Sequence, residues 1–241
     1  MIYVIGIGPG CRDLMTQEAI AAMEEAEVIV GYKTYIKLVE EFIQDKEVVQ
    51  NGMRKEVDRC QEAIEIAKTG KKVAVISSGD SGIYGMAGLI LELVTKQGVD
   101  IPVKVVPGVT ASIGAAAVLG APIMHDFCHI SLSDLMTPYE LIKKRVRNAA
   151  DADMIISLYN PRSKGRPHYL REAIEIIKEY RDLNTPVAVV RHALRDGQEY
   201  KLFNLENFDE EVVDMFSIVI VGNSQSFVKE GKFITPRGYD V

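Results

Sequence analysis

Three groups of residues in this chain have the types and spacing to do chemistry. The first is VAVISSGDSGIYGMAG, Val73 to Gly88, where an apolar run gives way to Gly79, Asp80 and Gly82. An apolar run of strand length that ends in small residues is how a parallel strand delivers a ligand loop at its carboxyl end. Asp80 can accept hydrogen bonds from a hydroxyl or amino group, the glycines admit a close backbone, and Ile83 and Tyr84 offer an apolar wall. The loop suits an adenosyl group or something of that shape, although a plain strand-to-helix glycine turn is written in the same residues. The second group is HDFCHISLSD, in which His125 and His129 stand four apart, with Asp126, Ser131 and Ser133 beside them. That spacing puts both histidines on one face of a helix or a strand. These side chains can move protons, or simply bond to backbone and solvent. A zinc site lacks convincing third and fourth ligands, so no protein-bound metal is expected.

The third group is the positive charge that gathers in loops. Lys33, Arg54 and Lys55, then Arg162, Lys164, Arg166 and His168, then Arg191, His192 and Arg195, and finally Arg237 fall in or beside strand-end loops. Arginine and lysine grip anions through charge-assisted hydrogen bonds, and loops carry binding groups disproportionately often. Charged residues also prefer exposed loops for no functional reason. NPRSKGRPH, broken by Pro161, Gly165 and Pro167, favours the binding account.

These groups need a scaffold, and 241 residues, 47% of them hydrophobic, are enough for two modest domains. Strands are expected at Ile2–Gly6, Val28–Val30, Val73–Ile76 and Val103–Val106. Helices are expected at Thr16–Glu25, Arg54–Thr69, Tyr84–Thr95 and Thr110–Leu119. This alternation implies a largely parallel sheet covered on both faces. GAPIMHDFC, residues 120–128, interrupts the rhythm and reads as a linker between domains 1–119 and 129–241. The second half restarts with strands at His129–Leu132, Met154–Leu158 and Val187–Val190, and helices at Pro138–Ala149 and Arg166–Tyr180. Glu199–Asn204, Phe216–Val221 and Lys232–Thr235 follow as strands without long helices between them, so the second sheet is expected to be mixed. The fold class is thus α/β, two αβα domains.

Composition excludes several classes. Cys11, Cys60 and Cys128 lie too far apart for a disulfide framework or a zinc spacing. A net charge of −6 argues against broad nucleic-acid binding. The start, MIYVIGIGPG, has no leader pattern and no run reaches membrane-span length, so a cytoplasmic protein without membrane partners is expected. GIGPGCRDLMT after the first strand fails the dinucleotide fingerprint, because Cys11 stands where the third glycine belongs, and no P-loop pattern is present.

Taken together, VIGIGPGCRDLMT, ISSGDSGIYGMAG, VVPGVTASIGAAAVLGAP and TPVAVV resemble, in order and spacing, the tetrapyrrole methylases. Within that family, GYKTY, HDFCHISLSDL, LYNPRS and ITPRGY are similar to the branch that methylates C-17 of a corrin precursor and contracts its ring. The resemblance implies S-adenosyl-L-methionine as cofactor, a small tetrapyrrole substrate with or without cobalt, and a homodimer. It implies cofactor contacts from Pro9, Gly79, Asp80, Ile83, Thr110 and Ala111, and in the second domain from Asn160 and Ala193. GDSGIY departs from relatives that carry a proline after the aspartate, which bears on the loop's path. Ring contraction moves protons, which points to His125, Asp126, His129 and Ser131 as the catalytic set. Substrate carboxylates point to Lys33, Arg54, Arg162, Lys164, Arg166, Arg191 and Arg237.

Overall fold

The computed structural model describes residues 1–52, 55–163 and 165–240. The chain forms two compact units, Met1–Ala111 and Ser112–Val241. The helix at 111–119 therefore groups with the second unit, where the expected division had given it to the first domain. Its Ala115 and Leu119 pack with Ile155, Ala188, Val190 and Phe233. Residues 120–128 belong to that unit as well: Gly120 and Ala121 pair as a short strand, and Phe127 opens another.

In the first unit the chain runs β1 (Ile2–Gly6), α1 (Gln17–Glu25), β2 (Val28–Tyr32), α2 (Lys33–Ile36), β3 (Glu47–Asn51), α3 (Glu56–Lys68), β4 (Val73–Ser77), α4 (Ala87–Gln97) and β5 (Val103–Val106). The strands form one parallel sheet in the order β3-β2-β4-β1-β5. β1 and β4 are buried on both faces, so IYVIG and VAVIS read as continuous apolar runs. Tyr3 and Ile5 of β1 pack with α1, while Ile2 and Val4 pack with α3 and α4. The chain thus leaves β1 over one face and β4 over the other. This is the topological switch point where open α/β sheets form their ligand crevice. Thr16 starts α1 by accepting a hydrogen bond from the Ala19 N–H at 3.0 Å, and Gly98, in the left-handed region, ends α4.

Two boundaries differ from the sequence reading for local reasons. Helix α4 starts at Ala87 and not at Tyr84, because Tyr84 has φ 54° and Gly85 sits where a Cβ would lie 2.5 Å from the Ser81 carbonyl. Strand β3 had no sequence signal beyond Val48 and Val49, since it is an edge strand whose other residues are polar.

The second unit runs α5 (Ala111–Leu119), β6 (Gly120–Ala121), β7 (Phe127–Ser131), α6 (Tyr139–Asp151), β8 (Ile155–Tyr159), α7 (Tyr169–Lys178), β9 (Pro186–Arg191), β10 (Glu199–Asn204), β11 (Ser217–Val221), β12 (Phe227–Lys229) and β13 (Lys232–Ile234). Its main sheet has the order β10-β9-β11-β8-β7 and is mixed, as expected: β7 and β8 run parallel, and every other neighbouring pair is antiparallel. A small sheet, β12-β13-β6, lies apart from it. Ile130, Ile156 and Leu158 pack with α6 and α7 on one face, so His129, Ser131 and Tyr159 project from the other. Helix α7 begins at Tyr169, just past Pro167, instead of Arg166.

Candidate functional site

In the first unit, three loops meet at the carboxyl ends of β1, β4 and β5. Ile7 donates to the Ser77 carbonyl at 2.9 Å, and Gly8 and Gly79 exchange backbone hydrogen bonds at 3.0 and 2.8 Å. This extra bridge carries the β1–β4 pairing past the ends of the strands. Glycine is required at the meeting point: a Cβ on Gly108 would sit 2.3 Å from the Gly79 carbonyl, and one on Gly6 would sit 2.7 Å from the same atom. Ser81, fully buried, lies beneath the loop and donates to the Val4 carbonyl at 3.1 Å.

Asp80 has a different first task from the one its sequence position suggests. One carboxylate oxygen accepts the N–H groups of Gly82 and Ile83 at 2.8 and 3.1 Å, and the other accepts the Gly108 N–H at 3.0 Å. The side chain therefore folds its own loop and ties it to the loop after β5. The second oxygen, with one bond accepted, keeps a lone pair for a ligand hydroxyl or amine. Ile83 and Tyr84 project beside it, Tyr84 half-exposed. Thr110 is buried near Gly79, whose Cβ position lies 3.6 Å from the Thr110 Cα, and Pro9 sits in the turn closed by the Gly10 to Ile7 hydrogen bond. Five of the expected cofactor residues, Pro9, Gly79, Asp80, Ile83 and Thr110, thus fall on these three loops, and Ala111 opens α5 directly after them. A carboxylate with spare acceptor capacity beside an apolar wall fits an adenosyl group.

In the second unit the strand ends of β7 and β8 carry the polar groups. His129 Nε2 lies 2.6 Å from the Ser112 hydroxyl, and the Ser112 N–H donates to the Tyr159 hydroxyl at 3.0 Å. The His129 and Tyr159 rings are 5.1 Å apart. Burial of His129 holds its imidazole below the usual histidine range, which keeps the ring neutral near pH 7. Ser131 accepts hydrogen bonds from the Ser133 N–H at 3.2 Å and from the Asn160 side-chain amide at 3.0 Å. The expected catalytic set is only partly assembled. His125 lies in the turn before β7, where its Nδ1 accepts the N–H of Asp126 at 2.9 Å, and the Asp126 side chain is 89% exposed. The shared face expected for His125 and His129 does not form, because the strand begins only at Phe127.

Three backbone conformations mark the same end of this sheet. Asn160, directly after β8, has φ 50°, and His192 and Leu194, directly after β9, have φ 50° and 58°. Left-handed backbone in residues other than glycine concentrates at ligand sites. Ala193 lies between two of them and packs near Gly114 of α5.

The cations expected to bind carboxylates are not a free cluster. Arg162 donates to both carboxylate oxygens of Glu211 at 3.0 Å and to the Glu210 carbonyl at 2.8 Å. Arg191 pairs with Asp214 at 2.7 Å, and Arg166 bonds to Ser133 and Ser163 and lies 3.5 Å from Asp134. Tyr169 donates to the other oxygen of Asp134 at 2.8 Å. Glu211 and Asp214 had no place in the sequence reading, and Asp134 entered it only as the end of HDFCHISLSD, because these acids meet their arginines from distant parts of the chain. Lys33, in α2, and Arg237, near the end of the chain, are exposed. Arg54 and Lys164 lie outside the described residues. Among the described residues no group of three or more histidine, cysteine or acidic side chains is placed to hold a metal ion, and no helix is long and apolar enough to cross a membrane.

A parallel sheet with glycine loops at its switch point, followed by a mixed sheet with polar strand ends, defines a two-unit α/β protein whose candidate ligand loops lie at its strand ends. Comparison with known proteins narrows this. Residues 1–209 match the family model of the tetrapyrrole (corrin/porphyrin) methylases, and the chain belongs to that family. It is 56% identical over 239 residues to a probable cobalt-factor III C(17)-methyltransferase of Salmonella typhimurium, covering 99% of each chain. It is 38% identical to a precorrin-3B C(17)-methyltransferase of a Sinorhizobium species, covering 99% of this chain and 96% of the relative. Among solved structures it resembles the methyltransferase CobJ with a TM-score of 0.93 and 36% identity, covering 98% of this chain and 99% of the other.

Proposed function

We propose that this protein methylates C-17 of a corrin precursor, cobalt-factor III or precorrin-3B, with S-adenosyl-L-methionine as methyl donor and with contraction of the ring, in cobalamin biosynthesis. The observation that carries this reading is the 56% identity, across 99% of both chains, to a protein named as a probable cobalt-factor III C(17)-methyltransferase. The name of that relative favours the cobalt-containing substrate. By family resemblance the protein works in the cytoplasm as a homodimer, which sedimentation of the purified protein checks.

When bound, the cofactor supplies an electrophilic methyl group, and the protein's main contribution to its transfer is alignment. Pro9, Gly79, Asp80, Ile83, Thr110 and Ala111 are the first unit's cofactor residues in this reading, and Asn160 and Ala193 are those that the family resemblance adds. Asp80 gives its remaining lone pair to a donor on the ligand while keeping its loop folded. Lys33, Arg54, Arg162, Lys164, Arg166, Arg191 and Arg237 remain the cations available to the substrate's carboxylates. Where they are already paired, the substrate displaces or shares the acidic partner.

Adding a methyl cation to a ring carbon leaves the product one positive charge richer unless a proton departs. His129, kept neutral by burial, is the group that takes this proton. The exposed pair His125 and Asp126 is left without that role. Anaerobic incubation with labelled S-adenosylmethionine and cobalt-factor III tests the assignment. One added methyl with the spectrum of a contracted ring supports it, and no transfer despite cofactor binding contradicts it.

A further inference from the structure

Ser131 stands in the sequence reading as a proton-transfer residue, and its hydrogen bonds assign it a different role. A serine hydroxyl offers two lone pairs and one proton. Both lone pairs of Ser131 are taken, by the Ser133 N–H at 3.2 Å and by the Asn160 amide at 3.0 Å. A hydroxyl occupied in this way is a poor base, and its proton is left for an acceptor outside this network. Three supports hold it at the carboxyl end of β7. The left-handed backbone of Asn160 aims its amide, the Ser133 turn follows the strand directly, and Ser133 is itself bonded by Arg166. Arg166 thus reaches Ser131 only through Ser133, two hydrogen bonds away, and it lies 3.5 Å from Asp134, which Tyr169 holds in place.

We propose that Ser131 is a specificity-determining hydrogen-bond donor to a carboxylate on the rim of the tetrapyrrole, with Asn160 and Ser133 as its positioning residues. This rests on the reading of the protein as a tetrapyrrole methylase. A carboxylate is favoured over a neutral carbonyl because a hydroxyl donor bonds a charged acceptor more strongly. The donor is preorganised: its two acceptor positions are filled before the ligand arrives, so the proton needs no reorientation cost shared with competing partners. A hydrogen bond from a neutral hydroxyl to a charged acceptor is a strong one of its kind.

The test uses the full-length protein and two readouts, binding of uroporphyrin III, a tetrapyrrole octacarboxylate, and steady-state methylation of cobalt-factor III. S131A is expected to weaken uroporphyrin binding and raise KM for cobalt-factor III by about tenfold. Its kcat stays within about threefold and its pH–rate profile keeps its shape, since no proton-transfer group is lost. S131T, which retains the hydroxyl, is expected to restore most of the binding and guards against a merely structural effect. N160A is expected to produce a smaller loss than S131A, because it frees a lone pair without removing the donor. A fall in kcat of a hundredfold with KM unchanged would overturn the proposal in favour of acid–base chemistry. Unchanged uroporphyrin affinity in S131A would overturn it as well. Failure of the wild-type protein to methylate any tetrapyrrole while still binding uroporphyrin through Ser131 would count against the proposed reaction and leave the donor site standing.

Discussion

The ligand loops of the first unit are held together by main chain and those of the second by side chains, and the two solutions differ in what can disturb them. Gly8 and Gly79 pair backbone to backbone, and Asp80 closes the arrangement by accepting three main-chain N–H groups. In the second unit the corresponding work is done by Arg166 on Ser133 and Asp134, Tyr169 on Asp134, Arg162 on Glu211, and Arg191 on Asp214. A parallel sheet brings several strand ends into one row, so short glycine loops can touch there and need little else. A mixed sheet sends alternate connections to opposite ends, and its longer loops must be tied by groups that reach further. The first arrangement is intolerant of added volume, and the second is sensitive to charge.

The largest effect is expected where volume enters the first unit. G108A places a methyl against the Gly79 carbonyl at 2.3 Å, and relief requires the loops after β4 and β5 to separate. A loss of about 3 kcal/mol is expected in chemical denaturation, with cofactor binding abolished. A variant as stable as wild type that still binds cofactor would show that the contact is not obligatory. D80A follows, since it strands three backbone donors at once. Charge-assisted bonds of this kind contribute about 1.5–3 kcal/mol each, and solvent recovers part of that at the exposed Gly82 and, less, at the part-buried Ile83. A net loss of about 2 kcal/mol is expected, together with at least tenfold weaker binding of S-adenosylhomocysteine, read by calorimetry.

In the second unit, H129Q is expected to lower kcat by about a hundredfold or more while leaving cofactor affinity near wild type. The wild-type rate should fall on acidification only below the ordinary histidine value of 6.5, because burial lowers the folded value and the ring must be neutral to accept a proton. An acidic limb centred above 6.5 would remove His129 from that role. The acidic clamps titrate in a separate window. Asp134 is lowered chiefly by the Tyr169 hydroxyl, with Arg166 adding to it. Burial works to raise Asp214, but the bonds from Arg191, the Phe216 N–H and Ser217 prevail and lower it. Both carboxylates therefore contribute stability that is fully present above the ordinary value of 3.8 and is lost as pH falls through their lower folded values. Hydrogen exchange should show residues 131–136 and 214–217 loosening below about pH 4, near the ordinary carboxylate range, and D214N should loosen the latter already at neutral pH. The smallest effect is expected at the exposed pair of Lys72 and Glu25, 2.7 Å apart, where K72A should leave the denaturation midpoint close to that of wild type.

The sequence made the first unit more legible than the second for the same reason. Four of its five strands are apolar runs or follow helices with clear periodicity, and GIGPG and SGDSG mark the strand ends directly. Only β3 escaped, because an edge strand with two valines carries little pattern. In the second unit the mixed sheet was readable from the spacing of its strands, but not the short strands β6 and β12. Its site was legible as residue types without their partners. Ser112 and Tyr159, which hold His129, gave no signal, since their meeting depends on α5 packing across the β7–β8 face. Arg162, Arg166 and Arg191 looked like free cations because the acids that pair with them come from elsewhere in the chain. A charge count along the sequence cannot register such closure.

The account gives Asp80 to the cofactor and Ser131 to the tetrapyrrole, and a pair of titrations on variants of these two residues tests that assignment most directly. D80A and S131A are each titrated with S-adenosylhomocysteine and with uroporphyrin III. The predicted result is a crossed one: D80A loses at least tenfold in S-adenosylhomocysteine affinity and little for the tetrapyrrole, while S131A loses about tenfold for the tetrapyrrole and little for S-adenosylhomocysteine. Loss of both ligands in S131A, or of neither in D80A, would contradict it.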